Sequence, residues 1–191
     1  MRVKYQIRTG TWDDEPNVGA LMALAFATDP FVRWILPNPH DFVTESLIHA
    51  GTTTAPAFDD GTVYMIGEAY GAAVWVGPNA KFKRKDDHAN DGRGMPDEFA
   101  ELVRKSGVYR PAEPHWYLAY IAVDPAHRGK GLGTALMNHS LEICDRDHMP
   151  VYLESTNAAN LSIYERHGFA LLAEVQVGDS PKRYPMLRAA R

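Results

Sequence analysis

The stretch Tyr120–Met137, "YIAVDPAHRGKGLGTALM", constrains the fold more than any other part of the chain. An apolar run ends at Asp124-Pro125. Then Gly129, Gly131 and Gly133 follow one another with Arg128 and Lys130 among them, and apolar residues resume at helical spacing. A strand that passes through so permissive a turn into a helix exposes bare main chain at the helix start. Glycine lets backbone N–H groups approach a ligand without a side chain in the way. The helix start adds orphan donors and roughly half a positive charge. Together these make an anion cradle suited to a pyrophosphate, with Arg128 and Lys130 available for charge pairing. A dinucleotide fingerprint is excluded, because Thr134 stands where G-x-G-x-x-G needs its third glycine. No G-x-x-x-x-G-K-[ST] run occurs either. The plainer alternative is a tight strand–helix turn with no ligand.

The rest of the chain narrows the class. Its 191 residues suggest a single domain, 1–191, with a variable polar insertion at about 78–114. A formal net charge of −4 without a long basic tract argues against nucleic acid as a partner. No apolar run approaches the roughly 20 residues of a membrane span, and "MRVKYQIRTG" lacks a signal-peptide core. The single Cys144 excludes an intrachain disulfide and fits a cytoplasmic setting. Its place in the pattern Leu132, Leu136, Ile143 reads as a buried, inert thiol. The histidines are scattered without zinc spacing, so no metal is expected.

Periodicity gives the element order. "VKYQIRTG" alternates as a half-buried strand. A helix starts after Thr11 and stops at Asp29-Pro30, "FVRWILPNP" is a short apolar piece, and a second helix covers Asp41 to about Thr54. "TVYMIGE" and "AYGAAVWVG" form a hairpin. One helix is expected in the insertion, from Pro96 to about Ser106. "HWYLAYIAV" reads as a strand buried on both faces. After the glycine turn come a helix to about Asp147, the strand "VYLEST", a short helix closed by Gly168, and two strands, "FALLAEVQV" and "RYPMLR". The order predicts an α/β fold, a mixed sheet with helices on both faces.

Within "VYLESTNAANLSIYERHGF", Asn160 and Tyr164 stand four residues apart, on one face of a helix. This segment and the glycine turn together resemble the GCN5-related N-acetyltransferase (GNAT) family. Arg128-Gly129-Lys130-Gly131-Leu132-Gly133 matches its Q/R-x-x-G-x-G/A motif, and Asn160, Tyr164, Glu165, Gly168 and Phe169 match N-x-x-x-Y-E-x-x-G-F. From His115 onward the chain is similar to antibiotic-acetylating members, puromycin acetyltransferases in particular.

The resemblance implies a mostly antiparallel, twisted sheet with a V-shaped splay between its two central strands. It implies acetyl-CoA as co-substrate, held by Ile121, Ala122, Val123, Arg128, Gly129, Lys130, Gly131, Gly133, Thr134, Asn160 and Tyr164. A backbone N–H near Ala119–Ile121 would polarise the acetyl carbonyl. Direct transfer to a primary amine then needs a base for the amine proton and an acid for the departing thiolate. Tyr164 matches the family's acid. Glu154, Tyr117, His115 or a water chain are the candidates for the base, Glu154 first. Phe31, Trp34 and Tyr117 are candidate walls for a small-molecule amine; the alternatives are a non-catalytic acyl-CoA-binding module or an acetyltransferase of protein N-termini or lysines. Sheet edges of such folds pair between subunits, which would allow a homodimer.

Overall fold

The computed structural model describes residues 5–78, 80 and 96–191, with side chains for all of these except 47–53. Much of the polar insertion, with Asp86, Asp87 and Asp91, therefore lies outside the described residues, as do Val3 and Lys4. Strand β1 (Ile7–Thr9) leads through a short 3-10 turn into helix α1 (Glu15–Phe26), followed by α2 (Pro30–Ile35) and α3 (Pro39–Asp59). Strands β2 (Val63–Ile66) and β3 (Gly71–Val76) form the hairpin. Helix α4 (Glu98–Gly107), β4 (Trp116–Val123), α5 (Leu132–Arg146), β5 (Val151–Ser155), α6 (Leu161–Arg166), β6 (Ala170–Leu171) and β7 (Tyr184–Arg188) complete the order.

The seven strands form one sheet in the order β1-β2-β3-β4-β5-β7-β6. Every pairing is antiparallel except β4 with β5. Buried side chains cover both faces. On one, Trp75, Leu118, Val151, Leu153 and Met186 pack with Leu132, Leu136, Met137 and Leu141 of α5. On the other, Val63, Met65, Ala72, Val74 and Ala122 pack with Val18, Leu21 and Met22 of α1 and Phe58 of α3. A side chain of this kind, fully buried, contributes roughly 1.5–3 kcal/mol. Among the described residues, no helix is long and apolar enough to cross a membrane.

Several elements differ from their sequence expectations. "FVRWILPNP" contains helix α2, because Pro30 occupies its first turn and the Asp29 carboxylate accepts from the Phe31 and Val32 amides. Helix α3 continues past Thr54 to Asp59 and holds Pro56 in its last turn. Thr11 caps the 3-10 turn through a reciprocal box with Asp14, not α1 itself. "FALLAEVQV" pairs as a strand only at Ala170–Leu171, with a single further bridge at Val175–Arg183. Strand β4 is not buried throughout: Tyr117 and Ala119–Ile121 are half-exposed.

Candidate active site

The half-exposure of β4 has a topological cause. Against β3, β4 pairs from Tyr117 to Val123, with one slip of register: Val74 faces Tyr120 and Trp75 faces Leu118, so Ala119 is an extra residue. Such a bulge bends its strand and increases local twist. Against β5, pairing covers only Trp116–Leu118 with Val151–Leu153. Beyond Leu118 the two central strands part, and among the described residues no strand lies along the β5 side of β4 there. Main-chain groups that lose a ladder partner must be satisfied by something else.

The parted strands open onto the glycine turn. Gly129 and Gly131 have φ of +75° and +84°, a region open to glycine and strained for other residues. A Cβ at either would meet nothing within 4 Å, so the space above this backbone is open. The first backbone bond of α5 runs from the Ala135 N–H to the Gly131 carbonyl. The amides of Leu132, Gly133 and Thr134 therefore precede it as free helix-start donors. A Cβ on Gly133 would touch Val123 at 3.8 Å and Ile163 at 3.9 Å, which shows how closely β4, α5 and α6 converge. The Tyr5 hydroxyl donates to the Lys130 carbonyl at 2.7 Å and braces the turn from below. Asp124 caps the preceding 3-10 turn and pairs with His127 at 2.7 Å. Arg128 and Lys130 are exposed, but each makes a main-chain contact: Arg128 donates to the Ala25 carbonyl and Lys130 to that of Ala126. Their charges stand at the cradle without being committed to a carboxylate there.

Across the cleft, Tyr164 is buried against Phe169 in an edge-to-face contact. Burial, reinforced by the nearby Asp29 carboxylate, pushes its phenol up to about 12. Tyr164 is therefore protonated at neutral pH. Asn160, expected on the same helical face, stands at the N-cap position of α6 without a side-chain capping hydrogen bond and is exposed.

The candidate bases occupy different settings. Glu154 is the first β5 residue past the split. Its Oε2 accepts from Arg183 at 2.8 Å, and its Oε1 is buried without a protein partner. Arg183 also donates to the Ser106 hydroxyl and lies over the Phe31 ring at 5.2 Å. Tyr117 stacks on Tyr152 under the Arg110 guanidinium. Burial first, and then the Glu154 charge, raises its phenol far above the ordinary range, so it stays protonated at neutral pH. His115 has both ring nitrogens engaged: Nδ1 with the Glu113 carbonyl at 2.7 Å, and Nε2 accepting from Arg110 at 2.9 Å. Burial holds its pKa down, so the neutral ring is fixed in place. Phe31 and Trp34 adjoin each other at 6.0 Å, and Phe31 meets Phe99 of α4 at 6.2 Å. Cys144 is buried, and desolvation raises its thiol to about 12, which suits a structural role. Among the described residues, no three His, Cys, Asp or Glu side chains group as metal ligands. Sequence reasoning missed Asp29, Thr156 and Arg183, whose contacts span the fold.

This geometry can be set beside known proteins. Residues 86–169 match the family model described as Acetyltransferase (GNAT) family. Residues 86–169 thus resemble GNAT-family acetyltransferases. An uncharacterized N-acetyltransferase of Schizosaccharomyces pombe is 28% identical over 145 residues, covering 66% of this chain and 58% of that protein. The match thus spans less than two thirds of that relative's length. Among solved structures, one titled histone acetyltransferase HPA2 and related acetyltransferase, from Corynebacterium glutamicum, superposes with a TM-score of 0.74 at 23% identity, covering 99% of this chain and 98% of that one. Arylalkylamine N-acetyltransferase 2 of Aedes aegypti gives 0.73 at 14% identity, covering 97% and 99%. These likenesses establish the GNAT fold over the whole domain.

Proposed function

We propose that this GNAT domain is an acetyl-CoA-dependent N-acetyltransferase that acts directly on a primary amine of a small molecule. The observation that carries the reading is the parting of β4 from β5 just upstream of an open, glycine-built helix start. The described residues fit a coenzyme A thioester. Gly129, Gly131 and the Leu132–Thr134 amides would hold its linked phosphates, helped by the charges of Arg128 and Lys130. The unpaired main chain of Ile121–Val123 would take its extended arm as a sheet takes another strand. When bound, it supplies an acetyl group activated as a thioester.

The chain's own groups account for the proton movements. Tyr164 stays protonated at neutral pH, which supports assigning it as the donor of a proton to the departing thiolate. Glu154, with one oxygen held by Arg183 and the other unpartnered, is the group assigned to receive the proton of the amine. Phe31, Trp34 and Tyr117 line the acceptor side. Their aromatic surface suits a compact amine, and agmatine and arylalkylamine N-acetyltransferases share this fold.

The test is thiol release from acetyl-CoA with agmatine, tyramine, spermidine and a lysine-containing peptide. Turnover with a small amine supports the proposal, and turnover with the peptide alone moves the acceptor class to protein. In parallel, acetyl-CoA should raise Tm. A shift with ATP or NAD and none with acetyl-CoA would overturn the assignment.

A further inference from the structure

Asp29 is buried, with 7% of its surface exposed. It sits at the corner between α1 and α2, on the acceptor side of the cleft. Its two oxygens serve two different parts of the molecule. Oδ1 accepts from the Phe31 and Val32 amides at 3.0 and 3.1 Å and so caps α2. Oδ2 accepts from the Thr156 hydroxyl at 2.7 Å, 127 positions away in sequence. Thr156 is the residue that follows β5, on the far lip of the cleft, and it leads into the turn before α6, the helix that carries Tyr164.

We propose that Asp29 is a positioning residue of the transfer reaction, a buried tether that fixes the acceptor-side wall of α2 against the lip of the cleft bearing Tyr164. This rests on the acetyl-transfer reading above. A buried carboxylate needs several donors to be tolerated, and Asp29 has three, drawn from both sides of the opening. A helix cap alone would use only Oδ1. Nothing in local capping calls for a partner across the fold. The tether is reinforced by a second path. Phe31, whose amide Asp29 caps, lies beneath Arg183, and Arg183 holds Glu154 at the end of β5. Wall, acid and base are therefore linked through α2. The negative charge of Asp29 also helps to keep the Tyr164 phenol protonated. Small displacements of reacting groups are costly, so a tether of this kind acts on rate more than on cofactor affinity.

The experiment compares Thr156→Val, Thr156→Ser and Asp29→Asn in the full chain, using acetyl-CoA with agmatine or tyramine. Thr156→Val is expected to lower kcat about tenfold to a hundredfold while leaving the KM for acetyl-CoA nearly unchanged, and to lower Tm, because Oδ2 of the buried Asp29 loses its donor. Thr156→Ser, which keeps the hydroxyl, should restore kcat. Asp29→Asn keeps the cap and can donate its side-chain amide to the Thr156 hydroxyl, so it should keep most of kcat, and the double variant with Thr156→Val should fall to the level of Thr156→Val alone. A Thr156→Val enzyme with wild-type kcat overturns the tether, as does a Thr156→Ser enzyme as slow as Thr156→Val. Should the wild type release no thiol with either amine, the transfer reading fails separately. Hydrogen exchange then reads the tether alone: faster exchange of the Phe31 and Val32 amides in Thr156→Val supports it, and unchanged exchange overturns it.

Discussion

Along its β3 flank, β4 is paired from Tyr117 to Val123 across one bulge; along its β5 flank, pairing stops at Leu118. The same strand thus has a strand along one side throughout, and along the other only as far as Leu118. The closed flank rests on fully buried residues such as Val74, Trp75 and Leu136. The open flank is bordered by half-exposed residues and by glycines with open space above them. Stability and activity should therefore separate across this one strand.

Three substitutions can break or sharpen that contrast. On the open flank, Tyr164→Phe should lower kcat about 10²–10⁴-fold while acetyl-CoA affinity and Tm stay close to wild type. Equal kcat in the two proteins would remove Tyr164 from the chemistry. On the closed flank, Leu136→Ala, beneath Gly71 of β3, should cost about 2–5 kcal/mol in denaturant unfolding with kcat retained below the transition. A large loss of kcat in the folded variant would mean that the two flanks are not independent. At the mouth of the opening, Gly131→Ala forces a Cβ onto a backbone with φ of +84°. The strain is about 1 kcal/mol, and an altered turn should weaken acetyl-CoA binding about tenfold by calorimetry. Unchanged binding would show that the cradle tolerates movement or lies elsewhere.

What was legible in the sequence was local. The glycine turn, α5 and the short helix with Tyr164 are encoded by residues adjacent in the chain, and the order of elements along the chain followed from their periodicity. The contacts that complete the candidate site are not local. Asp29 with Thr156 and Glu154 with Arg183 are brought together by topology, and Asp29-Pro30 in isolation signals only the end of α1. The misreading of β4 as buried on both faces has the same origin. An apolar run does not reveal that its neighbour departs after three residues. Helix α2 was hidden because its start depends on a side-chain cap and a first-turn proline, within a run too short to show a period.

The extra residue at Ala119 has one more effect. Upstream of it, Trp116 and Leu118 point toward α5; downstream, Ile121 and Val123 take over that direction while Tyr120 and Ala122 turn to the α1 layer. The alternation of the strand is thereby reset midway. Straightening the bulge with that alanine retained would turn the second half of the strand inside out and send Ile121 and Val123 into the wrong layer just before the turn that they introduce, whereas deleting the alanine would keep both on the α5 side and lose only the bend.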